Sequence, residues 1–346
     1  MSAPNHPYLD LPDSSFWRSA VADRDYLDLI DLSAPIGIGA DDKVATGGSC
    51  FAQHIGHHLR QREVHFVDCE PAPPFLSPAE ARRHGFGVYS CRYGNIYTAR
   101  QLLQLAQEAL ANRQPEDVVW SGNGRLYDAL RPSVDPSGHE SVERVLALRD
   151  RHIGRVRAMF ESLDVFIFTL GLTEAWEACA DGTVYPTAPG TIAGNYDPGA
   201  YRFRNFRHSE IMEDLREFWE LLRSVNPTAK LLLTVSPVPL SATASSNHVL
   251  VATTYSKSVL RSVAGEVSEE VSDIGYFPSF EIICSHPSRA IFFEEDMRTV
   301  TETGVEFVMD HFFRSSQVGS PASERGVEGH GNDLICDDEL LDRFAG

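Results

Sequence analysis

DVFIFTLGLTEAW, Asp164 to Trp176, is the stretch on which the fold turns. Val165 to Phe168 is an unbroken apolar run, followed by Thr169, Leu170 and Gly171. A run without polar alternation, closed by a glycine, fits a parallel strand buried on both faces. Before it, Ser141 to Leu163 reads as a long helix. After it, Ser209 to Ser224 is amphipathic with Ser209 as N-cap, and AKLLLTVSPVPL from Ala229 supplies a second buried strand ending at Pro237. Upstream, Lys43 to Ala45 forms a short strand that ends at Thr46, and Phe51, Ile55, His58 and Leu59 then fall on one helical face. A short strand is expected at Val64 to Val67. The segment CEPAPPFLSPAE holds four prolines and reads as a loop. Ala99 to Ala111, TYSKSVLRSVAGEVSEEV and Thr301 to Phe313 read as helices, and DIGYFPSF contributes a last short strand. Helices alternating with buried strands imply a three-layer α/β/α sandwich with a mostly parallel sheet.

The rest of the chain sets limits on function. Its 346 residues are 42% apolar and 23% charged, an ordinary globular balance. The net charge of -19 repels phosphate backbones, which argues against nucleic acid as a ligand. Neither a secretory leader nor a membrane-spanning apolar run is legible, so a cytoplasmic protein with no membrane partner is expected. The six cysteines stand apart without C-x-x-C pairs, which disfavours a disulfide framework or zinc ribbon. No P-loop or dinucleotide fingerprint occurs, and no cofactor is expected. Residues 1–40 are expected as an irregular arm anchored by Tyr8, Phe16 and Trp17, residues 41–315 as the main domain with an insertion at about 177–208, and residues 316–346 as a flexible acidic tail. Within that tail, LICDDELLDRF is suited to a short docked acidic helix.

In a parallel sheet, functional groups collect beyond the carboxyl ends of the strands. Ser49 stands there, on a Gly-Gly-Ser turn between a strand and a helix. Glycines permit the sharp turn, and the free N–H groups of the helix start suit a nucleophile that must also hold an oxyanion. A serine at such a turn also serves as an ordinary helix cap.

The motif GGSCFAQHIGHHL resembles the one that names the GSCFA family. The resemblance extends through FWRSAV, RYGNIYTARQLLQL, TLGLTEAW, TVSPVPLSATAS, VATTYSKSVLR and YFPSFEII, in order over residues 5–315. That family is similar to the SGNH (GDSL-like) hydrolases, which implies a flavodoxin-like fold and hydrolysis or transfer of acyl esters by a serine nucleophile. The resemblance implies Ser49 as nucleophile, with its own N–H, Gly94 and Asn95 as oxyanion donors. The third SGNH donor block, G-x-N-D, is altered: Gly171 is followed by Leu172, Thr173 and Glu174, which leaves the Thr173 hydroxyl as a shorter donor. The block that pairs Asp with a His three residues on reads Asp296 with Thr299 in the histidine position.

A serine without a base is a weak nucleophile at neutral pH. Two histidines are candidates to replace it. His286 follows the last strand on the route to Asp296 and is preferred on reach; His248 follows the preceding strand. Cys50 is an alternative thiol nucleophile or a substrate contact. Glu174, Trp176 and Arg204 border an insertion rich in aromatic residues and arginine that suits a sugar or an anionic group. His54, His57 and His58 share a helical face, yet nothing with diagnostic spacing completes a metal site, and they read as a solvated face with no metal. The expected activity is a serine esterase or O-acyltransferase acting on acylated carbohydrate or a similar small ester. The alternatives are a non-catalytic carbohydrate-binding or partner protein that retains the fold, and a Cys50-dependent acyl enzyme.

Overall fold

The computed structural model describes residues 6–32, 37–62, 64–316, 337, 340 and 341. Its regular elements run β1 (Val44–Gly48), α1 (Ala52–Gln61), α2 (Pro78–Arg83), α3 (Ala99–Ala111), β2 (Val119–Gly122), β3 (Arg125–Asp128) and α4 (Val142–Ser162). They continue β4 (Val165–Leu170), β5 (Glu174–Ala178), β6 (Val184–Tyr185), β7 (Tyr201–Asn205), α5 (His208–Val225), β8 (Lys230–Val235), α6 (Val249–Glu270), β9 (Ile274–Phe277), α7 (Ser279–Cys284) and α8 (Glu302–Ser316).

All six residues of β4 are buried, as its continuous apolar run requires. It lies between β1 and β8 in a four-stranded sheet of order β1-β4-β8-β9, parallel throughout. Alternate residues of β4 feed two cores. Phe166, Phe168 and Leu170 join residues of α3, α4, α5 and α6, whereas Val165 and Ile167 join residues of α1, α7 and α8. The chain is thus a three-layer α/β/α sandwich.

The strand expected at Val64 to Val67 shrinks to one parallel bridge, Phe66 to Val44, on the outer edge of β1. Counting that bridge, successive strands take the order 2-1-3-4-5, the doubly wound arrangement whose switch point lies between β1 and β4. Ser49 and Gly171 leave the two strands on either side of that point.

Four local expectations need correction. The proline-rich loop contains α2, because Pro78 occupies a first-turn position where no N–H is needed and Ser77 and Glu80 form a capping box. Helix α5 begins at His208, so Ser209 lies inside its first turn; the Glu210 carboxylate accepts the Arg207 N–H (2.9 Å). The insertion is partly regular, with β6 and β7 flanking β5 in a separate antiparallel sheet. In the arm, Tyr8, Phe16 and Trp17 stay largely exposed. The anchors are instead Tyr26, whose hydroxyl donates to Ile282 O (2.6 Å), and Leu29, whose carbonyl meets His311 Nε2 (2.5 Å). Of the tail, only Ser316, Asp337, Leu340 and Leu341 are among the described residues. No described helix is long and apolar enough to cross a membrane.

Candidate active site

Two glycines shape the end of β1. Gly48 has φ +134°, and a Cβ there would lie 2.4 Å from the Thr169 carbonyl oxygen, so no other residue fits between β1 and β4. Gly171 closes the opposite side: its Cβ would stand 2.8 Å from Ser49 Cβ and 3.1 Å from the Tyr97 carbonyl oxygen. Ser49 is 2% exposed, and its Oγ is a buried hydroxyl with no hydrogen-bond partner among the described residues. Its N–H, expected as an oxyanion donor, donates instead to Thr169 O (3.1 Å), because the chain is still in register with β4 at this point. Its carbonyl accepts from Ala52 N (2.9 Å) and from the Tyr89 hydroxyl (3.1 Å).

Residues 95–97 cross the ends of both strands. Ile96 N donates to Gly48 O (2.8 Å), and Gly171 N and Leu172 N both donate to Tyr97 O (3.0 and 2.9 Å). Asn95 and Tyr97 are 2% and 3% exposed. Gly94 has φ +70° and packs near Val134 and Arg131. Thr173 belongs to a different set of contacts. Its hydroxyl donates to Asn205 Oδ1 (2.7 Å) and its N–H to Ser256 Oγ (3.0 Å), so the oxyanion role expected of it conflicts with its bonds. The neighbouring Lys257, also buried, donates from Nζ to Gly171 O (2.7 Å). Helix α6 therefore grips the wall behind Ser49 at two points.

The two histidines expected as the base, and Asp296 expected to orient it, each engage partners other than Ser49. His248 is exposed and caps α6, its Nδ1 accepting from Leu250 N (3.2 Å). His286 is exposed beyond α7, with its ring stacked on Trp17 at 5.3 Å. Asp296 is exposed; it accepts from Arg298 N and Thr299 N (both 2.8 Å) and from the Thr299 hydroxyl (2.5 Å), which hold its carboxyl below the usual range against the opposing effect of partial burial. Neither imidazole hydrogen-bonds Ser49.

Cys50 is buried in the apolar cluster that contains Phe51 and Ile55. Glu174 accepts from the Thr243 hydroxyl (2.8 Å), and burial raises its carboxyl. Trp176 meets Tyr196 and Phe203 edge-on at 5.1 and 5.9 Å. Arg204, expected to be available for an anion, is already paired with Glu177 and Glu210. The helical histidines are not a uniformly solvated face. His54 Nε2 is buried and has no hydrogen-bond partner among the described residues, and desolvation, followed by the charges of His58 and His57, pushes the ring down to about 3. Burial likewise pushes His58 to about 4. Its spacing marked His54 as helical, but only the packed structure puts its ring against Phe51. The contact that sequence reasoning missed is Asp337, whose carboxylate accepts from Asn95 Nδ2 (2.9 Å). The acidic run that holds Asp337 is written in the sequence, but the address of Asp337 is not, since 242 residues separate the pair.

A doubly wound α/β fold with a buried serine at its switch point defines the class. Residues 43–312 match the GSCFA family, and the chain belongs to it. Among solved structures, an acetyl xylan esterase from the rumen bacterium Butyrivibrio proteoclasticus is similar, with 13% identity and a TM-score of 0.24. The similarity covers 70% of this chain and 56% of that one, so the match spans little more than half of the esterase. No curated protein matches.

Proposed function

We propose that the protein is a serine esterase or O-acyltransferase acting on acylated carbohydrate or a similar small ester, with Ser49 as the nucleophile. The observation that carries this reading is the Ser49 hydroxyl itself. A buried polar group without a partner is uncommon and calls for a reason. The hydroxyls of Thr46 in β1 and Thr169 in β4 are also buried and unpartnered among the described residues, but of the three Ser49 alone stands beyond its strand, at the switch point where ligands of doubly wound sheets bind. In the proposed reaction Ser49 Oγ attacks the acyl carbonyl carbon, and the Asn95 amide donates to the tetrahedral oxyanion. Collapse expels the alcohol and leaves an acyl-serine. Water then completes hydrolysis, or a sugar hydroxyl completes transfer. The Ser49 proton passes to His286 or His248, and either ring must leave its present partner to take it.

Serine-directed fluorophosphonate labelling tests the reading. The probe is expected on the tryptic peptide that contains Ser49 and to be lost in Ser49→Ala while Cys50→Ala keeps it. Labelling that survives in Ser49→Ala sinks the assignment. The second reading, a carbohydrate-binding protein without turnover, draws on one observation: Thr299 satisfies Asp296 where a histidine would otherwise stand. Retention of an acetylated oligosaccharide without its hydrolysis, together with absent labelling, would favour it.

A further inference from the structure

Asn95 holds its side chain in one orientation. Its Oδ1 accepts from the Tyr89 hydroxyl (2.5 Å) and from Gln53 Nε2 (3.4 Å), so the amide hydrogens face away from both. One of them is donated to Asp337 Oδ2, 2.9 Å from Nδ2. The backbone N–H of Asp337 donates to the Tyr97 hydroxyl at 3.1 Å. Asp337 is 4% exposed, and both groups that hold it are buried as well. The same Tyr97 takes the N–H of Gly171 on its carbonyl, and Gly171 abuts Ser49. An anionic oxygen therefore already sits on the amide that the proposed reaction uses for its oxyanion.

We infer that Asn95 and Tyr97 form a subsite of the Ser49 centre for an anionic oxygen on a peptide-like group, and that Asp337 of the same chain is its resident ligand. Tyr97 recognises the N–H of that residue and Asn95 its carboxylate. Substrate must displace Asp337 before its own acyl oxygen can take this N–H of the Asn95 amide. An acidic peptide is a poor free ligand for a protein of net charge -19, but tethering raises its local concentration to the order of millimolar. The effect on turnover rests on the Ser49 reading; the subsite itself does not.

Two measurements on the full chain separate these points. A fluorescein-labelled synthetic peptide of residues 331–343 is titrated against the wild type, Asp337→Ala and Asp337→Ala/Asn95→Asp, with circular dichroism reporting that each is folded. The peptide should bind Asp337→Ala about tenfold more tightly than the wild type, whose own Asp337 competes, and the double variant should lose it by charge repulsion. Equal binding to wild type and Asp337→Ala, or binding indifferent to Asn95→Asp, overturns the subsite. The second measurement is the fluorophosphonate labelling rate at Ser49, expected to rise about tenfold in Asp337→Ala and less in the isosteric Asp337→Asn. A rate that is unchanged or falls in Asp337→Ala overturns Asp337 as a competitor. Peptide binding as expected with no labelling of any variant upholds the subsite and removes the Ser49 reading. Ser49 labelling in all variants without peptide binding does the reverse.

Discussion

Two turns of this protein bear on the proposed reaction, and they are built in opposite ways. At the Ser49 turn the backbone is fully bonded, to Thr169 O, Ala52 N and the Tyr89 hydroxyl, and the side chain has no hydrogen-bond partner among the described residues. At the Asp296 turn the side chain is saturated by three donors from Arg298 and Thr299, all local, and it faces solvent. A reactive group needs a rigid frame and a free head. The first turn has both, whereas the second spends its head on its own loop.

The largest effect expected of breaking this contrast is at Ser49. Ser49→Ala should abolish phosphonate labelling and ester turnover while the melting temperature stays near that of the wild type, since the hydroxyl bonds nothing among the described residues. The next sharpens the other turn. Thr299→His places an imidazole three residues after Asp296, and Val300 packs in the same cluster as Cys50 and Phe51. Labelling at Ser49 should rise by about a hundredfold, the lower end of what a positioned base contributes. An unchanged rate would show that the two turns do not cooperate.

Gly171→Ala tests the wall behind the serine. A Cβ at 2.8 Å from Ser49 Cβ overpacks the site, and a loss of about 1–3 kcal/mol in urea denaturation is expected together with slower labelling. A neutral outcome in both would mean that the wall can yield.

Acid probes the helix that follows Ser49. His54, at about 3, and His58, at about 4, are both held below the ordinary histidine value by burial, so the unfolded chain binds protons first as the pH falls. His152 behaves alike: burial, helped by the Arg131 charge, brings it to about 4 against the pull of Glu70. Their contribution to stability is intact above pH 6.5 and is lost progressively as the pH drops from there towards 4 and below. Thermal melts between pH 7 and 4 should therefore decline, and His54→Gln should flatten the decline.

The smallest effect is expected at His248. Loss of its bond to Leu250 N removes the cap of α6, so His248→Ala should cost about 1 kcal/mol or less. Labelling that falls in proportion to far more than this would identify His248 as the base after all.

Much of the scaffold was legible because its determinants are local or periodic. The run at β4, the helix over Ala99–Ala111 and the turn at Ser49 declare themselves within about a dozen residues. The capping box of α2 was equally local, but the surrounding prolines disguised it. The site was less legible. The sequence singled out Ser49, Gly94, Asn95 and Thr173 by motif, yet which of their donors are already occupied depends on Thr169, Asn205 and Ser256, residues that come near only in the fold.

By itself, then, the sequence determined the layering and the place of the serine, because alternation of buried runs with amphipathic helices and a Gly-Gly-Ser turn are written in neighbouring residues. Tertiary structure decided everything that depends on a partner distant in the chain. Gly171 became the wall of Ser49, Thr299 and Trp17 engaged the groups expected to act as base and orienter, and Asp337 reached the amide of Asn95. Hydrogen bonds and steric walls act over a few ångströms of space, and separation along the chain sets no limit on them.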